Sequence, residues 1–450
     1  MRWSREFVEH ALALPGAVAA EGFSEISTDT RTMAPGALFV ALTGERFDGH
    51  AHLEAARGRG ATAAVVRKGT PPVAGLELIE VEDPLRAYGA LAHARRKDMA
   101  GPVVAVTGTN GKTSTKEMVA AVLRTRYRTH ATRANLNNLV GVPLTILEAP
   151  EDTEALVIEA GANLPGEIAR YREIIDPSIV VITNVAAGHL EGFGSIEGVL
   201  AEKLSLARDV PLAIVGTDPP ALADGARHLA RKVVTAGLQA AERKARDLEV
   251  DAAGRVAFTT AGQRIALPYP GRHLAANAML AWSVGEELGL DPVASARALG
   301  DVVLPGGRSE LIEAAGLTIL NDTYNANPHS FASAIATARA MRHARRLVFV
   351  AGTMRELGTE SGRLHAEIAE QLVLLKPDLL AAVGEFVPVL ESRRAELGDR
   401  LITAPDALSL GPLLAAALQG GELVVLKASR GVALERILPY LTSRTPPAEA

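Results

Sequence analysis

The chain has 450 residues, which at about 150 per domain suggests about three domains, and its 48% hydrophobic and 22% charged residues exclude a collagen-like, disordered or coiled-coil protein. Lysine and arginine total 47 against 52 aspartates and glutamates, a formal net charge of −5, so there is no basic excess to neutralise a run of nucleic-acid phosphates. The absence of cysteine excludes disulfides, thiolate zinc sites and a cysteine nucleophile, and suits a reducing compartment.

No apolar stretch approaches the roughly 18 residues that cross a bilayer. At the N-terminus, Arg2 and Arg5 precede an apolar stretch at 11–20. Glu6 and Glu9 interrupt its basic part and Pro15 divides its apolar part, so it reads as a first helix of a cytoplasmic protein rather than a signal peptide. Further on, short Val/Ile/Leu runs alternate with segments of helical period, the pattern of a parallel sheet covered by helices, and predict an α/β fold. A strand is expected at 38–42 in a first domain, and the basic segment Arg95-Arg96-Lys97 falls near that domain's end. Central strands are expected at 103–106, 155–158, 179–182 and 212–215. A small antiparallel meander follows at 247–268, with β-like stretches around 251–254 and 261–262. A second series of strands falls at 317–320, 347–350, 379–383 and 423–426, after a break at Pro305-Gly306-Gly307. The expected domains are 1–99, 100–303 and 304–450, without internal repeats.

Thr107-Gly108-Thr109-Asn110-Gly111-Lys112-Thr113-Ser114 follows the strand at 103–106. It opens a segment in which Met118, Val119, Val122 and Leu123 have helical spacing. Strand, glycine loop and helix together predict an ATP-binding phosphate loop. Gly108 and Gly111 let backbone N–H groups close around phosphate oxygens, Lys112 can reach the β- and γ-phosphates, and the Thr113 hydroxyl can meet Mg²⁺. In a parallel sheet, ligands bind beyond the carboxyl ends of the strands. Glu159 follows the run at 155–158, and Asn184 and His189 follow the run at 179–182. By residue type alone Glu159 is a cation ligand or a helix N-cap, His189 a ligand or a loop histidine, and Lys203 a lysine on a solvated helix face.

These stretches share a pattern with Ile158-Glu159-Ala160-Gly161-Ala162-Asn163, His189-Leu190-Glu191-Gly192-Phe193-Gly194-Ser195 and Asp322-Thr323-Tyr324-Asn325-Ala326-Asn327-Pro328. Taken together, the chain resembles the Mur ligases of peptidoglycan synthesis over essentially its whole length. Among them it is most similar to the members that join D-alanyl-D-alanine to UDP-N-acetylmuramoyl-tripeptide. The resemblance implies three domains: an N-terminal α/β domain that binds the UDP-substrate, a central P-loop ATPase-like parallel sheet with the meander, and a C-terminal Rossmann-like α/β domain. It implies a cytoplasmic, monomeric ligase that works through an acyl phosphate and releases ADP and phosphate.

By the same resemblance Lys112, Glu159, His189 and Lys203 are catalytic. Mg²⁺, two ions of it, is held by Thr113, Glu159, His189 and Lys203, the last as a CO₂-derived carbamate whose anionic oxygens replace a repelling ammonium. Gly108, Thr109, Asn110, Gly111, Lys112, Thr113 and Ser114 meet ATP, with Asn277 on the adenine side, Arg308 on the phosphates, Asp322 on the ribose and Asn325 on the nucleotide and second-substrate side. Ser27, Thr28 and Arg31 face the UDP group, as does Phe47, for which a core position is an equal alternative. Asn137 and Asn138 face the muramoyl-peptide, Tyr324 and Asn327 the nucleotide and second-substrate side, and Lys427, Ser429 and Arg430 the carboxylate of the second substrate or the acyl phosphate, a surface position being as good a reading for Lys427 alone. Ala134, Thr353 and Ala428 stand where the family commonly has Gly, Asp and Gly.

Rival readings are a ligase adding the third amino acid, a folylpolyglutamate synthase-like ligase, and a P-loop nucleotide-binding protein without ligation chemistry. The D-N-P-R signature of the first is absent, and the second lacks a first domain of this kind.

Overall fold

The computed structural model describes residues 3–44 and 47–443. Arg2 of the N-terminal segment, and Glu45 and Arg46 in the segment around Phe47, lie outside the described residues. The chain divides into two compact units, one of Met1–Ala105, Arg128–Gly161 and Glu167–Ser178, the other of Val106–Tyr127, Ala162–Gly166 and Ile179–Ala450. Among the described residues no helix is long and apolar enough to cross a membrane.

The first unit opens with a helix at Arg5–Leu12, capped by the Ser4 hydroxyl, which accepts from the Phe7 N–H at 3.2 Å. Only the first part of the apolar stretch at 11–20 is helical, because Ala13 takes a left-handed conformation that ends the helix ahead of Pro15. Four strands, β1 (Ile26–Ser27), β2 (Leu38–Val40), β3 (Ala63–Arg67) and β4 (Glu77–Val81), pair in parallel in that order. The basic segment 95–97 ends the helix Pro84–Lys97. Its Arg96 guanidinium donates to the Ile175 and Asp176 carbonyls at 2.9 and 2.7 Å, so it ties the helix end rather than facing a ligand.

The central sheet is built from β5 (Val103–Thr107), β6 (Thr129–Ala131), β7 (Ala155–Glu159), β8 (Ile179–Ile182), β9 (Leu212–Val215), β10 (Val233–Gly237) and β11 (Arg243–Lys244), in the order β6-β7-β5-β8-β9-β10-β11. Val, Ile and Leu fill β5, β7, β8 and β9 because both faces of these strands are covered, and every residue of the four is buried. The helix Lys112–Leu123 buries Met118, Val119, Val122 and Leu123 and packs against the helix Arg272–Glu287.

The antiparallel meander consists of β12 (Arg246–Val250), β13 (Arg255–Thr260) and β14 (Gln263–Pro270). The stretches at 251–254 and 261–262, expected as β-like, are instead the turns that join these strands. Asp251 Oδ1 accepts from the Ala253 and Arg255 N–H groups, the Asx-type bonding that closes a turn, and Ala261 and Gly262 have φ of 45° and 76°.

The last sheet has the order β15 (Glu310–Ala314), β16 (Leu317–Asp322), β20 (Leu423–Lys427), β17 (Leu347–Ala351), β18 (Leu379–Val383) and β19 (Leu401–Ala404). Only the β15–β16 pair is antiparallel; the others run parallel, so the carboxyl ends of β16, β20 and β17 fall side by side. Phe331 anchors one face of this sheet, with ring centroids 6.3 Å from Phe349 and 5.2 Å from Phe386. Truncating this fully buried ring removes transfer free energy and leaves a cavity. Phe331→Ala is expected to cost about 3–5 kcal/mol, measured as a lowered urea midpoint of the C-terminal sheet's transition; an unchanged midpoint would contradict the packing argument.

Candidate functional site

The phosphate loop is held open from outside. The Asn110 N–H donates to Asn184 Oδ1 at 3.0 Å, and the Asn110 carbonyl accepts from the Asn184 amide at 3.1 Å and from the Thr183 hydroxyl at 2.6 Å. The Thr109 N–H donates to the Asn184 carbonyl at 2.9 Å. Gly108 has φ 140° and a Cβ there would lie 2.0 Å from Thr183 Oγ1; Gly111 has φ 77° and a Cβ would meet the Asn277 amide at 2.7 Å. Both positions therefore require glycine, and Asn277, nearly fully buried, packs directly against the loop. Lys112 Nζ donates to the Gly108 and Thr109 carbonyls at 2.9 and 3.0 Å. Thr113 and Ser114 are buried in the first turn of the following helix, where N–H groups lack intrahelical acceptors and the helix dipole favours an anion.

The C-terminal sheet brings residues onto this loop. Arg308 donates to Thr113 Oγ1 at 3.1 Å while its guanidinium lies 3.5 Å from the Tyr324 ring centroid. Asn327 and Asn110 exchange side-chain amide bonds of 2.7 and 3.3 Å, and Asn327 also caps the helix Pro328–Arg342. Asp322 accepts from the Ser309 N–H at 3.2 Å and pairs with Lys427 at 2.6 Å. Lys427 is buried, and its ammonium also donates to the Asn325 carbonyl at 2.7 Å. The buried Ser429 hydroxyl donates to the Ala326 carbonyl at 3.2 Å. Lys427 and Ser429 thus hold the 322–327 loop in shape, and the exposed Arg430 pairs with Glu435.

His189 Nδ1 lies 2.5 Å from Glu356 of the 352–358 loop, and its presence holds the Glu356 carboxyl below the usual carboxylate range. Both residues have positive φ, 56° and 64°. Lys203 is buried in the helix Ile196–Ser205 with Nζ 5.4 Å from the Phe193 ring centroid, so the solvated-face reading does not hold. Sequence reasoning missed Glu356 altogether, along with His329, which lies 3.1 Å from Asp218 and 3.3 Å from Asn110. No spacing signal links residues so distant in the chain.

In the other unit, Glu159 is the last residue of β7 and no helix N-cap, since the next helix there starts at Glu167. It is 2% exposed; Oε1 accepts from Asn137 at 2.8 Å and Oε2 is buried with no hydrogen-bond partner among the described residues. A buried carboxylate oxygen without a donor at a strand's carboxyl end fits a hard cation. Among the described residues no group of three or more His, Asp or Glu gathers to hold a metal by itself. Asn138 caps the following turn through the Val140 and Gly141 N–H groups. Arg31 forks onto Asp29, holding its carboxyl down to about 2, and the Ser27 hydroxyl accepts from the Asp29 N–H at 3.2 Å beside Thr28. Phe47 is 57% exposed, which overturns the core alternative: the short antiparallel pair Thr43–Gly44 and Phe47–Asp48 leaves its ring outside.

Burial pushes the His273 imidazole, 3.4 Å from the Ser309 hydroxyl, down to about 4. An unfolded histidine titrates near 6.5. As pH falls from about 6.5 towards 4, the unfolded chain therefore takes up a proton that the folded chain refuses, and stability declines over that window. His273→Gln is expected to flatten this part of the urea-midpoint profile; equal slopes in both proteins would refute it.

Three family models match the chain: "Mur ligase family, catalytic domain" over 23–96, "Mur ligase middle domain" over 106–285 and "Mur ligase, glutamate ligase domain" over 307–430. The chain is 34% identical over 430 residues to the UDP-N-acetylmuramoyl-tripeptide--D-alanyl-D-alanine ligase of Bacillus subtilis (strain 168), covering 92% of each. It superposes on a crystal structure of MurF from Acinetobacter baumannii with a TM-score of 0.89 at 28% identity, covering 98% of this chain and 99% of that one. It matches the MurF ligase of Thermotoga maritima in complex with ADP with a TM-score of 0.82 at 27% identity, covering 93% and 97%. By these matches the chain belongs to the Mur ligase family, with its three-domain α/β fold.

Proposed function

We propose that this chain is the ATP-dependent ligase that joins D-alanyl-D-alanine to UDP-N-acetylmuramoyl-tripeptide in peptidoglycan synthesis. The observation that carries this reading is the Arg308 guanidinium, brought from beyond residue 300 to within 3.1 Å of the phosphate-loop Thr113 hydroxyl. A cation delivered there from a second sheet suits stabilisation of a transferring phosphoryl group, the first half of the ligation.

The chemistry follows from the inertness of a carboxylate. An amine does not displace oxide from a carboxylate at neutral pH, so the oxygen must first become a leaving group. A carboxylate oxygen of the tripeptide attacks the γ-phosphorus of ATP, the bond to the β–γ bridging oxygen breaks, and ADP leaves. The D-alanyl-D-alanine amine then attacks the acyl carbon, loses a proton and expels phosphate, which carries away the oxygen that came from the acid. Lys112, Arg308 and the N–H groups at the start of the helix Lys112–Leu123 are the donors that meet the γ-phosphoryl charge.

Mg²⁺, whose residues here are Thr113, Glu159, His189 and carbamylated Lys203, supplies charge neutralisation on the phosphoryl oxygens when bound. The donor-free buried oxygen of Glu159 supports that assignment. The buried position of Lys203 beside the Phe193 ring also supports it, since it places this lysine inside the fold and not on a solvated helix face. Asn277 and Asp322 lie on the nucleotide's base and ribose side. Ser27, Thr28, Arg31 and Phe47 contact the UDP group, and Asn137 and Asn138 the muramoyl-peptide.

With acid-labelled tripeptide, oxygen-18 is expected in the released phosphate, and ATP turnover is expected to require the tripeptide. Unlabelled phosphate, or turnover equally fast without it, would overturn the ligase reading. Lys203→Ala is expected to lower activity about 100-fold or more, with partial rescue by a short carboxylic acid; undiminished activity would remove the carbamate.

A further inference from the structure

We infer that Tyr324 is a positioning residue for Arg308 rather than a contact to the second substrate. The two residues meet across the entrance to the β15–β16 hairpin: the Tyr324 N–H donates to the Gly307 carbonyl at 3.0 Å, extending the antiparallel register that pairs Glu310 with Asn321. Gly307 has φ 76° and donates to Glu310 Oε2 at 2.9 Å, and Ser309 has φ 48° with its N–H on Asp322. This kinked entrance turns the Arg308 side chain over the Tyr324 ring, with the guanidinium carbon 3.5 Å from the ring centroid.

A planar, weakly hydrated guanidinium stacks well on an aromatic face, and the stack fixes the plane in which its N–H fork points. Here the fork points at Thr113. No ion pair engages Arg308 among the described residues, so aromatic stacking holds it without cancelling the charge that a phosphate would meet. A carboxylate in place of the ring would have spent that charge. The Tyr324 hydroxyl forms no hydrogen bond among the described residues, which places its contribution in the ring.

The inference rests on the reading of Arg308 as a phosphate contact, and four variants separate the two. Arg308→Ala tests that reading alone. Tyr324→Ala is expected to lower kcat/KM for ATP roughly 3- to 30-fold while leaving KM for D-alanyl-D-alanine unmoved, and Tyr324→Phe to restore most of the loss. In the Arg308→Ala background, Tyr324→Ala is expected to add less than about 2-fold, since the ring then has nothing to orient. Circular dichroism and thermal unfolding of each variant establish folding, and ADP affinity by calorimetry gives the same comparison without turnover. Additive losses, a Tyr324→Phe enzyme as impaired as Tyr324→Ala, or a loss confined to KM for D-alanyl-D-alanine would overturn the inference while leaving Arg308 in place. An Arg308→Ala enzyme with unchanged use of ATP would overturn both.

Discussion

The whole site depends on one constraint: a loop of backbone must present bare N–H groups to a phosphate without leaving its other polar groups unsatisfied. Here Asn184 and Thr183, at the end of β8, occupy both the N–H and the carbonyl of Asn110, while Lys112 takes up the carbonyls of Gly108 and Thr109. The bonds to Asn110 come from the end of β8, and the loop leads into the first turn of the helix Lys112–Leu123, where backbone N–H groups have no intrahelical acceptors. Gly108 and Gly111 are the positions where this bracing brings side chains too close for any Cβ.

The C-terminal sheet adds a second layer to this arrangement. Parallel pairing of β16, β20 and β17 puts three carboxyl ends in one row, and the loops that leave them are cross-braced. Asn327 caps a helix and pairs with Asn110; Arg308 reaches Thr113; Glu356 meets His189. Each is a polar contact of short reach between loops that are themselves tied down by further hydrogen bonds.

β5, β7, β8, β9, β16, β17, β18 and β20 were legible because their apolar runs are buried, whereas β6, β10, β11, β15 and β19, short or partly exposed, were not; the phosphate loop was legible because glycine and lysine spacing encodes backbone geometry directly. The meander was harder. β13 and β14 alternate buried with more exposed residues, β12 has no buried residue, and none of the three carries a continuous buried run, so the turn residues at 251–254 and 261–262 stood out more than the strands they join. Glu356 and His329 stayed hidden for a different reason: their partners His189, Asp218 and Asn110 lie more than a hundred residues away, and such pairing leaves no periodic trace. The resemblance supplied roles that residue type alone left open, as at His189 and Glu159.

Lys427 illustrates how burial changes the meaning of a charge. In sequence, Lys427-Ala428-Ser429-Arg430 at a strand end reads as two cations and a hydroxyl for a carboxylate or an acyl phosphate, or, for Lys427 alone, as a surface lysine. In the fold, the Lys427 ammonium already has the Asp322 carboxylate and the Asn325 carbonyl, and Ser429 has the Ala326 carbonyl. Lysine suits this position because a compact head with three rotatable donors can meet the Asp322 carboxylate and the Asn325 carbonyl without being confined to one plane. Arginine is used instead at 308, where a single direction matters and an aromatic face can set it. The two cations differ accordingly: the buried one shapes the loop that carries Asp322 and Tyr324, and the half-buried one lies on an aromatic ring with no carboxylate partner among the described residues.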